Sequence, residues 1–87
     1  MEDAGARFEL FHVIAERGSA TARCYVVDHA LEPCVQFRNL TYPEVQAAFR
    51  ARGGHTSPAL WDGSRLFQGA ESVVSRLQAH VNLGRSE

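Results

Sequence analysis

Two cysteines and four histidines have the widest chemical range in this 87-residue chain, and their spacing limits what they can do. Cys24 and Cys34 lie ten positions apart, not at the C-x-x-C spacing that sets two thiols on one helical turn, so no redox dithiol is encoded. Three readings stay open for them: small buried hydrophobes, the commoner role of a free cysteine, a structural disulfide, or one reactive thiol. Cys24 is the candidate for the last, because it falls early in a predicted helix, where the helix dipole favours a thiolate. His12, His29, His55 and His80 have neither H-x-x-x-H nor mixed Cys/His ligand spacing, so no metal is expected and each reads as a surface residue or a satisfied partner. All nine basic residues are arginine, which removes Schiff-base and Walker-type lysine mechanisms.

The elements that must position these groups follow from length, composition and periodicity. Eighty-seven residues hold one core, and 45% hydrophobic against 22% charged residues is a globular balance that folds without a staple. A net charge of -1 argues against an electrostatic hold on nucleic acid or anionic lipid. No uncharged apolar run approaches the roughly 18 residues of a membrane span. Glu2 and Asp3 stand where a signal peptide would be basic, so a cytoplasmic location is expected. A single domain over 1–87 is expected, with flexible ends at 1–7 and 84–87.

The apolar stretch 8–14 predicts a first strand. A loop over 15–18 leads to Ser19 or Thr21, either of which can cap a helix that continues to about Leu31 on the stripe Ala22, Tyr25, Val26, His29 and Ala30. Pro33 is expected to end it. Residues 34–40 predict a second strand with Val35 and Phe37 on one face. Thr41 as cap, Pro43 in the first turn and Glu44 three residues after the cap predict a second helix, stopped by Gly53-Gly54. Residues 58–61 and Leu66-Phe67 flank Asp62-Gly63 as an antiparallel hairpin. Val73, Val74, Leu77 and Val81 predict a last helix to about Asn82, with Gly84 just past it. The order β-α-β-α-β-β-α implies a four-stranded mixed sheet flanked by three helices, an α/β fold.

This order, with Gly54-His-Thr-Ser-Pro-Ala-Leu-Trp-Asp-Gly-Ser-Arg-Leu-Phe-Gln-Gly69-Ala-Glu-Ser72, resembles the glutaredoxin-like branch of the thioredoxin superfamily across residues 8–81. The Glu71-Ser72 pair also resembles the N-terminal domain of glutathione transferases. The resemblance implies that Pro58 is the family's cis-proline. The family's nucleophilic cysteine heads the first helix, with a second Cys or a Ser three positions later. This sequence departs there: Ser19 is placed at the nucleophile and Ala22 at the resolving position, and a hydroxyl cannot replace a thiol in disulfide exchange.

What the resemblance leaves is binding. It implies that Ser57, before the cis-proline, pairs with the cysteinyl backbone of glutathione or an extended peptide. Gly69, Glu71 and Ser72, at the start of the last helix, would hold the γ-glutamyl carboxylate, with Ser19, Thr56 and Pro58 completing the groove. Helix N-termini suit carboxylates through unpaired N–H groups and the positive dipole end. Ser19 and Thr21 read equally as caps, Glu71 and Ser72 as first-turn residues, and Arg17 as a solvated loop residue. The expectation is a redox-inactive glutaredoxin-like binder with no cofactor, glutathione or a partner protein being the ligand, and a monomer or weak homodimer. Two alternatives are a protein-interaction module pairing through the hairpin edge and a monothiol oxidoreductase using Cys24.

Overall fold

The computed structural model describes residues 7–84; the end segments expected to be flexible lie outside these, apart from Arg7 and Gly84. Strand β1 (Phe8–His12) is followed by α1 (Arg17–Asp28), a 3-10 turn (Glu32–Cys34), β2 (Val35–Asn39), α2 (Pro43–Ala51), β3 (Ala59–Trp61), β4 (Leu66–Gln68) and α3 (Ala70–Gly84). The strands form one sheet in the order β2-β1-β3-β4. β1 is parallel to β2 in the register Leu10 to Phe37, and antiparallel to β3 with Leu10 opposite Leu60. β3 and β4 pair antiparallel, Leu60 opposite Phe67. The chain is therefore α/β with a four-stranded mixed sheet and three helices, as the element order implied.

Alternation along β1 divides the core into two layers. Phe8 and Leu10, with Leu60 and Val35, pack under Ala22 and Val26 of α1 and Val73 and Leu77 of α3. Phe11 and Ala59 face the other way, against Val45 and Phe49 of α2. Val35 and Phe37 share a face as expected, but Val35 is buried and Phe37 is 40% exposed, because β2 is an edge strand. Phe37 instead covers the His12 ring edge-on at 5.7 Å.

Helix ends differ from the sequence reading in informative ways. α1 starts at Arg17 with Glu16 as N-cap, so neither Ser19 nor Thr21 caps it. Its end is set before Pro33 by a Schellman closure: Leu31 N–H donates to the Val26 carbonyl (2.8 Å) and Ala30 N–H to the Val27 carbonyl (3.1 Å). Ala30 takes the left-handed position, φ 55°, that glycine normally fills. The cap of α2 lies one residue after the expected Thr41: Tyr42 is the N-cap and makes no side-chain cap bond. Thr41 instead donates its amide to Asn39 Oδ1 at 2.8 Å, a local turn that competes with capping. Gly53, φ 83°, and Gly54 close α2 as predicted, the Gly54 amide reaching the Phe49 carbonyl at 2.9 Å.

The hairpin turns over Asp62 to Arg65, held by the Asp62 carboxylate rather than by a two-residue Asp-Gly turn. Asp62 Oδ1 accepts the amides of Ser64 (3.0 Å) and Arg65 (2.8 Å), and Oδ2 accepts Arg76 Nε (3.3 Å) from α3. The Ser64 amide, then the Arg65 amide, the Ser64 hydroxyl and Arg76 hold its carboxyl down to about 2 against the opposing effect of burial.

Candidate functional site

Three segments meet at one end of the sheet: the start of α1, the loop before β3 and the start of α3. The Ser57–Pro58 peptide bond is cis, and Pro58 is fully buried. The Pro58 carbonyl accepts the Gly69 amide at 2.8 Å, and Gly69 takes φ 93° to turn the chain from β4 into α3. Gly18 in the first turn of α1 fits against both: a Cβ there would lie 3.3 Å from Pro58 Cδ and 3.4 Å from Ala70 Cβ. The approach to Pro58 is slightly tighter than ordinary van der Waals contact, so a residue without a side chain lets α1 close on the loop without displacing the proline.

A carboxylate that sequence reasoning passed over organises this junction. Glu16, half-buried at the N-cap of α1, accepts a 2.5 Å hydrogen bond from Ser19 Oγ on Oε1. Ser57 Oγ lies 3.0 Å from each of its oxygens. Ser19 is fully buried and its oxygen also accepts the Val13 amide at 3.0 Å. Ser19 is therefore an internal strut, not the exposed hydroxyl expected at a nucleophile position. The expected cap of α1, Ser19 or Thr21, lay three or five residues after the observed one, Glu16. The signal available was local: Glu16 precedes Ser19 by three positions, the spacing at which an N-cap side chain and a first-turn side chain meet.

Thr56 is exposed, its amide donating with that of His55 to Gln68 Oε1, both at 2.9 Å. These two bonds tie the loop to β4. Among the described residues, neither the amide nor the carbonyl of Ser57 has a hydrogen-bonding partner. Glu71 and Ser72 are exposed in the first turn of α3. Glu71 borders a shallow cleft with Thr21, Ala70 and Val74 of about 450 Å³, whereas Ser72 opens onto a separate cleft beside Phe67 and Arg76. Glu16, Gly18, Ser57, Pro58, Gly69 and Ala70 thus come together; Ser72 and Thr21 stand at the margin, Thr21 Oγ donating to the Arg17 carbonyl at 3.2 Å.

Neither cysteine reaches this junction. Cys24 is exposed and is the eighth residue of α1, so it is neither buried nor early in the helix, and the dipole effect fades beyond the first turn. Cys34 is partly buried; its thiol donates to the Leu31 carbonyl at 3.3 Å and lies 3.9 Å from His80 Nε2. Both thiols are free.

The buried His12 accepts Arg23 Nη1 on Nδ1 at 3.2 Å, which places its proton on Nε2. Burial, then the Arg23 charge, lowers its pKa below the ordinary imidazole value. Arg23 Nη2 also donates to the Ile14 carbonyl (3.2 Å), fixing the loop between β1 and α1. His80 is lowered in the same way by burial, then by Arg7 and Arg76. Among the described residues, no three His, Cys, Asp or Glu side chains are grouped to hold a metal ion, and no helix is long and apolar enough to cross a membrane. Comparison with protein-family models, curated proteins and solved structures returns no match for this chain.

Proposed function

We propose that this chain is a glutaredoxin-like, thioredoxin-fold domain that binds the extended backbone of glutathione or a peptide at the Ser57–Pro58 loop and performs no disulfide exchange there. The observation that carries this reading is that the Ser57 amide and carbonyl have no partner among the described residues, on the loop that lies beside the starts of α1 and α3. A backbone donor and acceptor side by side, with no partner in the fold, pair with an extended segment as a strand edge does. Strand order β2-β1-β3-β4, with α1 and α3 on one face and α2 on the other, supports the fold assignment. The groups at the head of α1 support a reading without exchange chemistry at that position. Glu16 and Ser19 stand three positions apart there, and neither a carboxylate nor a buried hydroxyl can form a mixed disulfide. Two free thiols suit a reducing compartment such as the cytoplasm.

The test is an amide NMR titration with reduced glutathione and, separately, with a short extended peptide, each to millimolar concentration. Localised shifts at Gly18, Ser57 and residues 69–71 are expected with at least one of the two. Unmoved resonances at those amides with both ligands would refute backbone pairing.

A further inference from the structure

Of the two ligand classes, the geometry of Glu16 separates them. The carboxylate is an acceptor only, with about four lone-pair sites. Two hydroxyl protons reach it, from Ser19 and Ser57, and Ser57 shares its single proton between Oε1 and Oε2. Acceptor capacity therefore remains, on a residue that is half-buried rather than sealed. Its direction is preset, because Ser19 is fully buried and anchored by the Val13 amide at 3.0 Å. A ligand that pairs with the Ser57 backbone lies next to this oxygen pair.

Among the described residues no direct ion pair offsets the charge of Glu16. Arg23 is engaged with His12 and the Val13 and Ile14 carbonyls, and Arg17 lines the groove between α1 and α3 with Cys24, Tyr25 and Asp28. The N-terminus of α1 offers about half a positive charge, less than the full negative charge of the carboxylate that heads it. Glu71 adds a second negative charge at the start of α3. An incoming carboxylate or thiolate meets repulsion here, whereas an ammonium or guanidinium meets a preformed acceptor.

We infer that Glu16 is the specificity-determining residue of the groove and that the ligand is an extended peptide presenting a lysine or arginine side chain to it, in preference to the anionic glutathione. This rests on the backbone-pairing function proposed above. Three end-capped pentapeptides that differ only in a central Lys, Gln or Glu test it, titrated against the whole chain and against E16Q at low salt with the Ser57 amide as reporter. A charge-assisted hydrogen bond is worth roughly a tenfold gain, so the Lys peptide should bind about ten times tighter than the Gln peptide. The Glu peptide should bind weakest, and on E16Q the Lys and Gln peptides should bind equally, whatever the variant's overall affinity. The Lys preference of the unaltered chain should also shrink with added salt, a readout independent of how E16Q folds. Equal binding of all three peptides, or a Lys preference that survives in E16Q, overturns the specificity and leaves backbone pairing standing. Silence of the Ser57 amide with every peptide and with glutathione overturns both.

Discussion

Removing one buried hydroxyl separates a strut from a cap. In S19A the Val13 amide loses the acceptor it has at 3.0 Å, and Glu16 loses its 2.5 Å hydrogen bond. An orphaned backbone donor at a half-buried residue costs about 1 kcal/mol, and a charge-assisted bond to a carboxylate that retains another partner costs about as much again. The loss of stability should therefore be about 2 kcal/mol. For a domain of this size each kcal/mol moves Tm by about 4–8 °C, so S19A should melt about 10 °C below the parent. T21A is the control: Thr21 is exposed and its hydroxyl only returns to the Arg17 carbonyl within the same helix, so its effect should stay within about 0.5 kcal/mol. Thermal unfolding followed by circular dichroism reads both, and urea titration checks that the slope with denaturant is unchanged. The strut reading fails if S19A melts within about 2 °C of the parent, or if T21A is as damaging. A cycle with E16Q should show a coupling of about 1 kcal/mol between positions 16 and 19.

Ala30 at φ 55° carries the cost of a left-handed L-residue, so A30G should raise stability by about 0.5–1 kcal/mol in urea titration; a loss would show that the Schellman closure does not persist in solution. His12 and His80 have lowered folded pKa values, so below their ordinary 6.5 the unfolded chain takes up protons that the native state resists. Stability should accordingly fall as the pH drops below about 6.5, and H12N should flatten part of that slope, as measured by Tm across the range. Asp62 is held at about 2 against an ordinary 3.8; its contribution is present above about pH 4 and is lost as the pH falls towards 2. D62N should therefore lose less stability than the parent between pH 4.5 and 2.5, and equal losses would show that the turn amides of Ser64 and Arg65 do not hold the carboxyl below its ordinary value.

The sequence carried most of the fold because the signals involved are local. The apolar stretch 8–14, of which β1 takes Phe8–His12, the Gly53-Gly54 stop and the hairpin around Asp62-Gly63 each act through periodicity or turn chemistry within a few residues. Helix starts were less legible. Thr41 carries the composition of a cap, yet Asn39 captures its amide and α2 begins without a side-chain cap. Ser19 has the same composition, but burial turns its hydroxyl inward to Val13 and Glu16.

The sequence by itself determined the α/β order of elements and the lack of a C-x-x-C thiol pair, because each depends only on residue type and short spacing. Tertiary structure alone decided which side chains meet at the Thr-Ser-Pro loop. Ser57 and Glu16 are 41 positions apart, and no local rule relates them. Their contact exists because β1 and β3 are neighbours in the sheet, which brings the loop ahead of β3 up to the start of α1, while a bare Gly18 lets α1 close on Pro58. Position in the sheet, rather than any preference of its own, makes a glutamate at the head of a helix the shared acceptor of the Ser19 and Ser57 hydroxyls.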